Sequence, residues 1–312
     1  MSQLEQMYAS LYPAEGAQRA AAKNKRFVHY TTADVARSII EKKQVWMRST
    51  RVMNDFREIE HGIECLNNGL NSPEGKALHD LIYSINGVGL TPFHNEAYIG
   101  LYKNSTYITS ISEHDSSEDN TGRLSMWRAY GGTTGVAMVV NNKPFIEPND
   151  NLGAWTFPVT YCGTDGYISK FAHMHTVISG DIAYYQAQKS WILDRFYDFL
   201  LFLVLCTKHP GFAEEREWRV VYNSVHTAEY IKQSIQSVRG TPQIVYLLPL
   251  ENIPAINFYG AHLPEFLSHL IIGPTLHPEV MQKAFVKLLG DNGVPHPDLN
   301  VRISDIPLRH YS

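Results

Sequence analysis

The chain has 312 residues, enough to bury one large core or two small ones. Its 44% hydrophobic and 19% charged content is ordinary globular composition and excludes a disordered chain. The formal charge of −4 excludes a grossly basic nucleic-acid coat, although Lys23, Lys25 and Arg26, and Lys42, Lys43, Arg48 and Arg51, form two local basic sets of a kind more often found as solvated faces.

Residues 1–25 hold two alanine-rich, helix-permissive pieces broken at Pro13 and Gly16, and read as a helical N-terminal extension to a single catalytic domain over 26–312. Residues 26–30, rich in β-branched and aromatic side chains, predict a strand. Thr31 to Asp34 then resembles a capping box, followed by Val35, Ala36, Ile39 and Ile40 at helical spacing. A strand is expected over 45–48, a turn at Met53, Asn54 and Asp55, and a helix over 58–68. Residues 71–96 mix helix and loop signals. Alternation over 106–112 predicts a strand, and the polar run 113–122 a mobile loop. One or two helical turns at 125–130 lead through Gly131, Gly132 and Gly135 into a strand over 136–140.

Further strands are expected at 155–162, 217–222, 244–248, 255–259, 270–272 and 301–303. Residues 179–208 read as one long helix stopped by His209, Pro210 and Gly211. Another helix is expected over 278–289. Strands and helices follow no βαβ alternation, so the fold class is α+β. No apolar run reaches the ~20 residues of a membrane span. The run 199–206 is preceded by Asp194, Arg195 and Asp198 and reads as buried helix. Residues 1–5 show neither a basic nor an apolar signal region. Cys65, Cys162 and Cys206 are odd in number and lack ligand spacing, which argues against a disulfide framework or a structural zinc and for a reducing, cytoplasmic setting.

Four blocks could carry chemistry. His29, Tyr30 and Thr31 end a strand beside a helix start, where a ring nitrogen and backbone donors can meet a ligand. Asn54 and Asp55 are strong turn residues; Asp55, Glu58 and Glu60 could gather a cation, but nothing in their spacing demands it and turn and helix-start chemistry is the commoner use. Ser110 and Ser112 share a strand face, and Trp127 and Tyr130, behind Ser125 and Met126, share a helical one; together they could form an aromatic slot, although packing is the commoner use of Trp. Glu215 and Glu217 would share a strand face with Arg219, with Arg216 and Trp218 opposite. Strands deplete Glu, and two adjacent carboxylates can split their roles; the bland alternative is a solvated edge strand. Walker, GxGxxG and HExxH motifs are absent.

The order His29-Tyr30-Thr31, Asn54-Asp55 with Glu58, Ser125-Met126-Trp127-Arg128-Ala129-Tyr130-Gly131 and Glu215-Arg216-Glu217-Trp218-Arg219 resembles the bacterial family called domain of unknown function 2971, over roughly residues 26–305. Two departures touch the pocket's first wall: Phe56 stands where the family has proline, and Thr109-Ser110-Ile111-Ser112 replaces a cysteine-phenylalanine-serine run. More loosely, the layout is similar to that of ADP-ribosyltransferases, which implies mostly antiparallel sheets around an ADP-ribosyltransferase-like core with flanking helices. That resemblance implies NAD as substrate, His29 on the adenosine ribose, Ser110 or Ser112 at the nicotinamide ribose, and Glu217 on the ribose 2′-hydroxyl. Tyr30, Trp127 or Tyr130 would stack on nicotinamide, Glu215 would orient or deprotonate the acceptor, and Arg219 would grip a phosphate or simply tune the acids. The expected activity is ADP-ribosyl transfer to a macromolecule, or NAD hydrolysis, in a setting such as bacterial defence. The alternatives are a metal-dependent nuclease built on Asp55, Glu58 and the Glu215/Glu217 pair, and a nucleotide-binding sensor.

Overall fold

The computed structural model describes residues 3–52, 56–147, 149–187, 189–238 and 240–307. Asn54 and Asp55 lie outside the described residues, and the side chain of Glu58 is likewise not described. Among the described residues twelve strands form in chain order: β1 Arg26–Thr32, β2 Gln44–Ser49, β3 Thr106–His114, β4 Gly135–Val140, β5 Ala154–Pro158, β6 Thr160–Tyr161, β7 Thr207–Lys208, β8 Glu217–Asn223, β9 Lys232–Val238, β10 Thr241–Pro249, β11 Leu267–Ile272 and β12 Val301–Ile303. Ten of them make one sheet, with the path β12-β11-β4-β1-β3-β2-β10-β9 and β8 and β5 branching from β3. Within it every pairing is antiparallel except β11 with β12. The short strands β6 and β7 pair in parallel beside it.

The branch comes from how β3 spends its two edges. Along one it pairs with β8 from Thr106↔Asn223 to Ser112↔Glu217. The other edge is shared, meeting β2 at Ile108 and Tyr107 and β1 at Ser112 to His114. The class is therefore α+β with a mixed, mostly antiparallel sheet.

Both sheet faces are covered, so central strands read as continuous apolar runs rather than alternating ones. β4 is buried at all six positions. On the first face Val136, Met138 and Val140 pack with Phe27, Ile111, Trp218, Val220 and Tyr222. The helix Ala33–Lys42 adds Ala36, Ile39 and Ile40, and the helix Pro278–Asp291 adds Phe285 and Leu289. On the second face Val28, Tyr30, Met126, Trp127, Ala137, Val139 and Ile271 form one cluster. Ile108, Phe157, Leu205, Cys206 and Val221 form another. A separate helical core joins Met7, Leu11 and Tyr12 of the N-terminal helices to Leu66, Phe171, Met174 and Leu200. The two N-terminal helices are thus packed against the body of the protein.

Several local expectations change. The predicted long helix over 179–208 is interrupted at Asp181, where the helix Thr164–Gly180 ends, and its last two residues form β7. Residues 255–259 are not a strand: Pro254–Ile256 is a 3-10 turn closed by the single Ile253↔Phe258 bridge. Thr32 makes no side-chain cap; instead the Ala33 N–H donates to the Thr134 carbonyl at 2.8 Å. The helix Pro73–Asn86 lies in the stretch whose signals were mixed, with Ser72 Oγ accepting from the Gly75 N–H at 3.0 Å and left-handed Gly87 closing it. Among the described residues, no helix is long and apolar enough to cross a membrane.

Candidate functional site

The site begins where the chain enters β8. The 3-10 turn Pro210–Glu215 opens with His209 Nδ1 accepting from the Gly211 N–H at 3.1 Å. Arg216 then takes a left-handed conformation, φ 44°, unusual for a side chain of its size. Its guanidinium is held by Asp115 and by Glu118 Oε1 at 3.1 Å. That kink puts Glu215 at the end of a turn and Glu217 at the start of a strand. The two acids therefore do not share a strand face, as simple alternation predicted.

Lys208 brings them together instead. Its Nζ lies 2.7 Å from Glu215 Oε2 and 3.3 Å from Glu217 Oε2. Lys208 is 2% exposed, at the end of β7, and its ammonium sits 4.7 Å from the centre of the Phe212 ring.

Glu217 is buried and both of its oxygens are engaged. Oε1 accepts from Ser110 Oγ at 2.6 Å and from Arg219 Nε at 2.9 Å. Oε2 faces Lys208 and a second Arg219 nitrogen, each at 3.3 Å. Its backbone N–H donates to Tyr161 Oη at 2.7 Å. Burial alone would raise the carboxyl, but the Arg219 and Lys208 cations, with the hydrogen bonds, outweigh it and hold the group at about 2. Arg219 is 1% exposed, and another of its nitrogens donates to the Leu205 carbonyl at 2.6 Å. It is committed to the interior, a setting that suits the tuning of Glu217 rather than the gripping of a phosphate. Ser112 stands opposite Glu217 in the strand register and is buried.

The outer side is built by the turn after Ser125. Trp127–Gly131 is π-helical, a rare geometry often met at functional sites. It places Tyr130, 36% exposed, with its hydroxyl 3.4 Å and 3.5 Å from the two carboxylate oxygens of Glu215. Ser125 Oγ donates to Glu214 Oε1 at 2.9 Å. Arg123 supports the turn from behind, donating to the Glu215 carbonyl at 3.1 Å and, through two nitrogens, to Glu118 at 3.0 Å each. The polar segment expected to be a mobile loop is thus tied down by ion pairs.

Trp127 and Tyr30 do not line a slot. The indole is 2% exposed, donates Nε1 to the Thr121 carbonyl at 2.9 Å, and meets the Tyr30 ring edge-on at 4.9 Å. Tyr30 Oη accepts from the Arg123 N–H at 2.8 Å. Of the three expected stacking aromatics, Tyr130 alone reaches solvent.

His29 lies on the other face of the sheet. With Ile39, Ile111, Met138 and Val220 it lines a cavity of about 50 Å3 in the first core. Its Nδ1 donates to the Ser110 carbonyl at 2.9 Å, and burial pushes its pKa down, so the ring is neutral at pH 7. Thr31, two residues on, shares that side of β1. The expected grouping of His29 and Thr31 with Glu217 is therefore not formed: the sheet separates them. Lys208, Tyr161 and Arg123 were missed. The only hint was chemical, since a buried Glu-x-Glu pair requires cations.

A family model described as a protein of unknown function (DUF2971) matches residues 126–220, the stretch from the π-helical turn into β8. No curated protein and no solved structure matches the chain.

Proposed function

We propose that the protein is an NAD-consuming glycosyl-transfer enzyme, cleaving the nicotinamide–ribose bond and passing ADP-ribose to a macromolecular acceptor or to water. One observation carries the reading: a carboxylate held ionised, Glu217, is coupled through Lys208 to the more open carboxylate of Glu215 beside the exposed ring of Tyr130. Loss of nicotinamide builds positive charge on the ribose ring, which a preorganised anion stabilises more in the transition state than in the ground state. Because both oxygens of Glu217 are engaged, Glu215 is the group that meets the substrate and takes the acceptor's proton, and Glu217 positions it by fixing Lys208. Tyr130 offers a face on which nicotinamide can stack.

A nuclease reading fits the donor set less well. A lysine ammonium sits between the two carboxylates that would have to embrace a divalent ion, and Glu60 is paired with Lys103.

The test is nicotinamide release from NAD by the purified protein, with labelled NAD and cell lysate to trap an acceptor. Glu215→Gln should lower turnover by ~10²-fold or more, with a smaller loss of stability than Glu217→Gln because Glu217 still faces Lys208 and Arg219. Absence of both NAD turnover and NAD-induced stabilisation ends the proposal. Stabilisation without turnover replaces it with a nucleotide-binding sensor.

A further inference from the structure

We propose that His114, Asp119 and His269 bind one divalent transition-metal ion of the zinc class, at a site distinct from the carboxylate pair and independent of the NAD reading. His114 closes β3, His269 lies in β11, and Asp119 belongs to the segment between β3 and the π-helical turn. One ligand atom from each lies within 4.8 Å of the others. His114 Nε2 is 2.8 Å from Asp119 Oδ1, and His269 Nε2 is 3.6 Å from the same oxygen. The second distance is too long for a hydrogen bond and close to the ~3.3 Å between neighbouring ligands of a tetrahedral ion with bonds of ~2.0–2.1 Å.

A second observation points the same way. Both imidazoles are 2% exposed, yet His269 Nε2 and His114 Nδ1 have no hydrogen-bond partner. A buried polar atom left unpaired loses its hydration with nothing in return, and native proteins rarely leave one without a water or an ion. The outer contacts suit ligation. Ser268 Oγ lies 3.2 Å from His269 Nδ1, so a proton on Nδ1 leaves the Nε2 lone pair facing Asp119. Glu118 Oε2, 3.8 Å from His114 Nδ1, is the carboxylate that such histidines commonly lean on. Two histidines and a carboxylate form a ligand set for zinc-type ions, with water completing the sphere.

Two cations compete. Arg26 reaches Asp119 Oδ1 at 2.7 Å and Arg302 reaches Oδ2 at 3.4 Å. The ion binds by displacing Arg26 from Oδ1, which leaves Oδ2 to the guanidinium groups. It would pin the segment bearing Glu118 to the sheet, and Glu118 holds both Arg123 and Arg216.

The experiment strips the full-length protein with a chelator, then titrates Co2+ by visible absorption and Zn2+ by calorimetry, with circular dichroism to verify folding. One equivalent should bind, Co2+ should show the intense bands of low coordination, and the melting temperature should rise. His269→Ala and Asp119→Asn should each weaken binding by more than the ~10–100-fold that loss of an outer partner costs. Arg26→Gln, at a partly exposed position, should tighten it, which keeps the test decisive if a ligand variant fails to fold. No stoichiometric binding by folded wild-type protein overturns the proposal. So does binding that is unchanged in His269→Ala, which would assign the ion to surface histidines.

Discussion

At Glu217 a single carboxylate accepts from a serine on the neighbouring strand, an arginine two residues along and a lysine from β7. The arrangement is asymmetric in what it tolerates. Removing Ser110 Oγ takes away one bond to a charged acceptor, worth ~1.5–3 kcal/mol, and leaves the ion pairs intact. Neutralising Glu217 leaves Lys208 and Arg219 buried with less than their counter-charge, a defect of ~3–5 kcal/mol. Urea denaturation should therefore rank Ser110→Ala as the milder change and Glu217→Gln as the more severe. The reverse order would mean that the hydroxyl, not the ion pairs, holds the site. Lost turnover in Glu217→Gln would consequently mix chemistry with folding, which is why Glu215 is the better probe of activity.

The elements show a similar dependence on close contact. Trp127 is held edge-on by Tyr30 and flanked by glycines: an added Cβ at Gly273 would lie 2.8 Å from the indole and 3.1 Å from the Gly135 carbonyl. Gly273→Ala should cost ~1–3 kcal/mol by overpacking. Gly163→Ala, whose Cβ would meet nothing within 4 Å, should stay within ~0.5 kcal/mol of wild type. Equal denaturation midpoints for the two variants would show that the indole slot is not rigid. Such a slot explains why strands β1, β3, β4 and β8 were legible in the sequence while the site was not. β-Branched and aromatic runs mark a strand wherever it pairs. Which side of β1 joins which side of β8 depends on register and on the branch at β3, and neither is written locally. Hence Ser110 and Glu217 meet across β3 and β8, whereas His29 went to the opposite core. Lys208 was hidden because a buried lysine after an apolar helix resembles that helix's polar end.

For the whole molecule, the site stands where the sheet meets the helical layer: Arg219 spans the joint by donating to the Leu205 carbonyl at the end of helix Lys189–Leu205. Two titrations on opposite faces of the sheet contribute to the acid limit of stability, alongside the imidazoles of His114 and His269, which burial likewise depresses. Burial keeps folded His29 neutral, while the unfolded chain gains a proton below about 6.5, so this contribution is present at neutral pH and erodes as pH falls below that value. Glu217 runs from an ordinary 4.5 to about 2 on folding. The difference corresponds to ~3 kcal/mol, present above 4.5 and lost as pH falls through about 2. Urea midpoints measured from pH 8 to pH 3 should therefore decline gently below about 6.5 and more steeply below about 4.5. His29→Gln should make the upper limb shallower, with the remainder carried by His114 and His269, and leave the lower limb, since Glu217 lies across the sheet and keeps its own partners. An upper limb unchanged in that variant would move the neutral-pH titration away from the cavity that His29 lines.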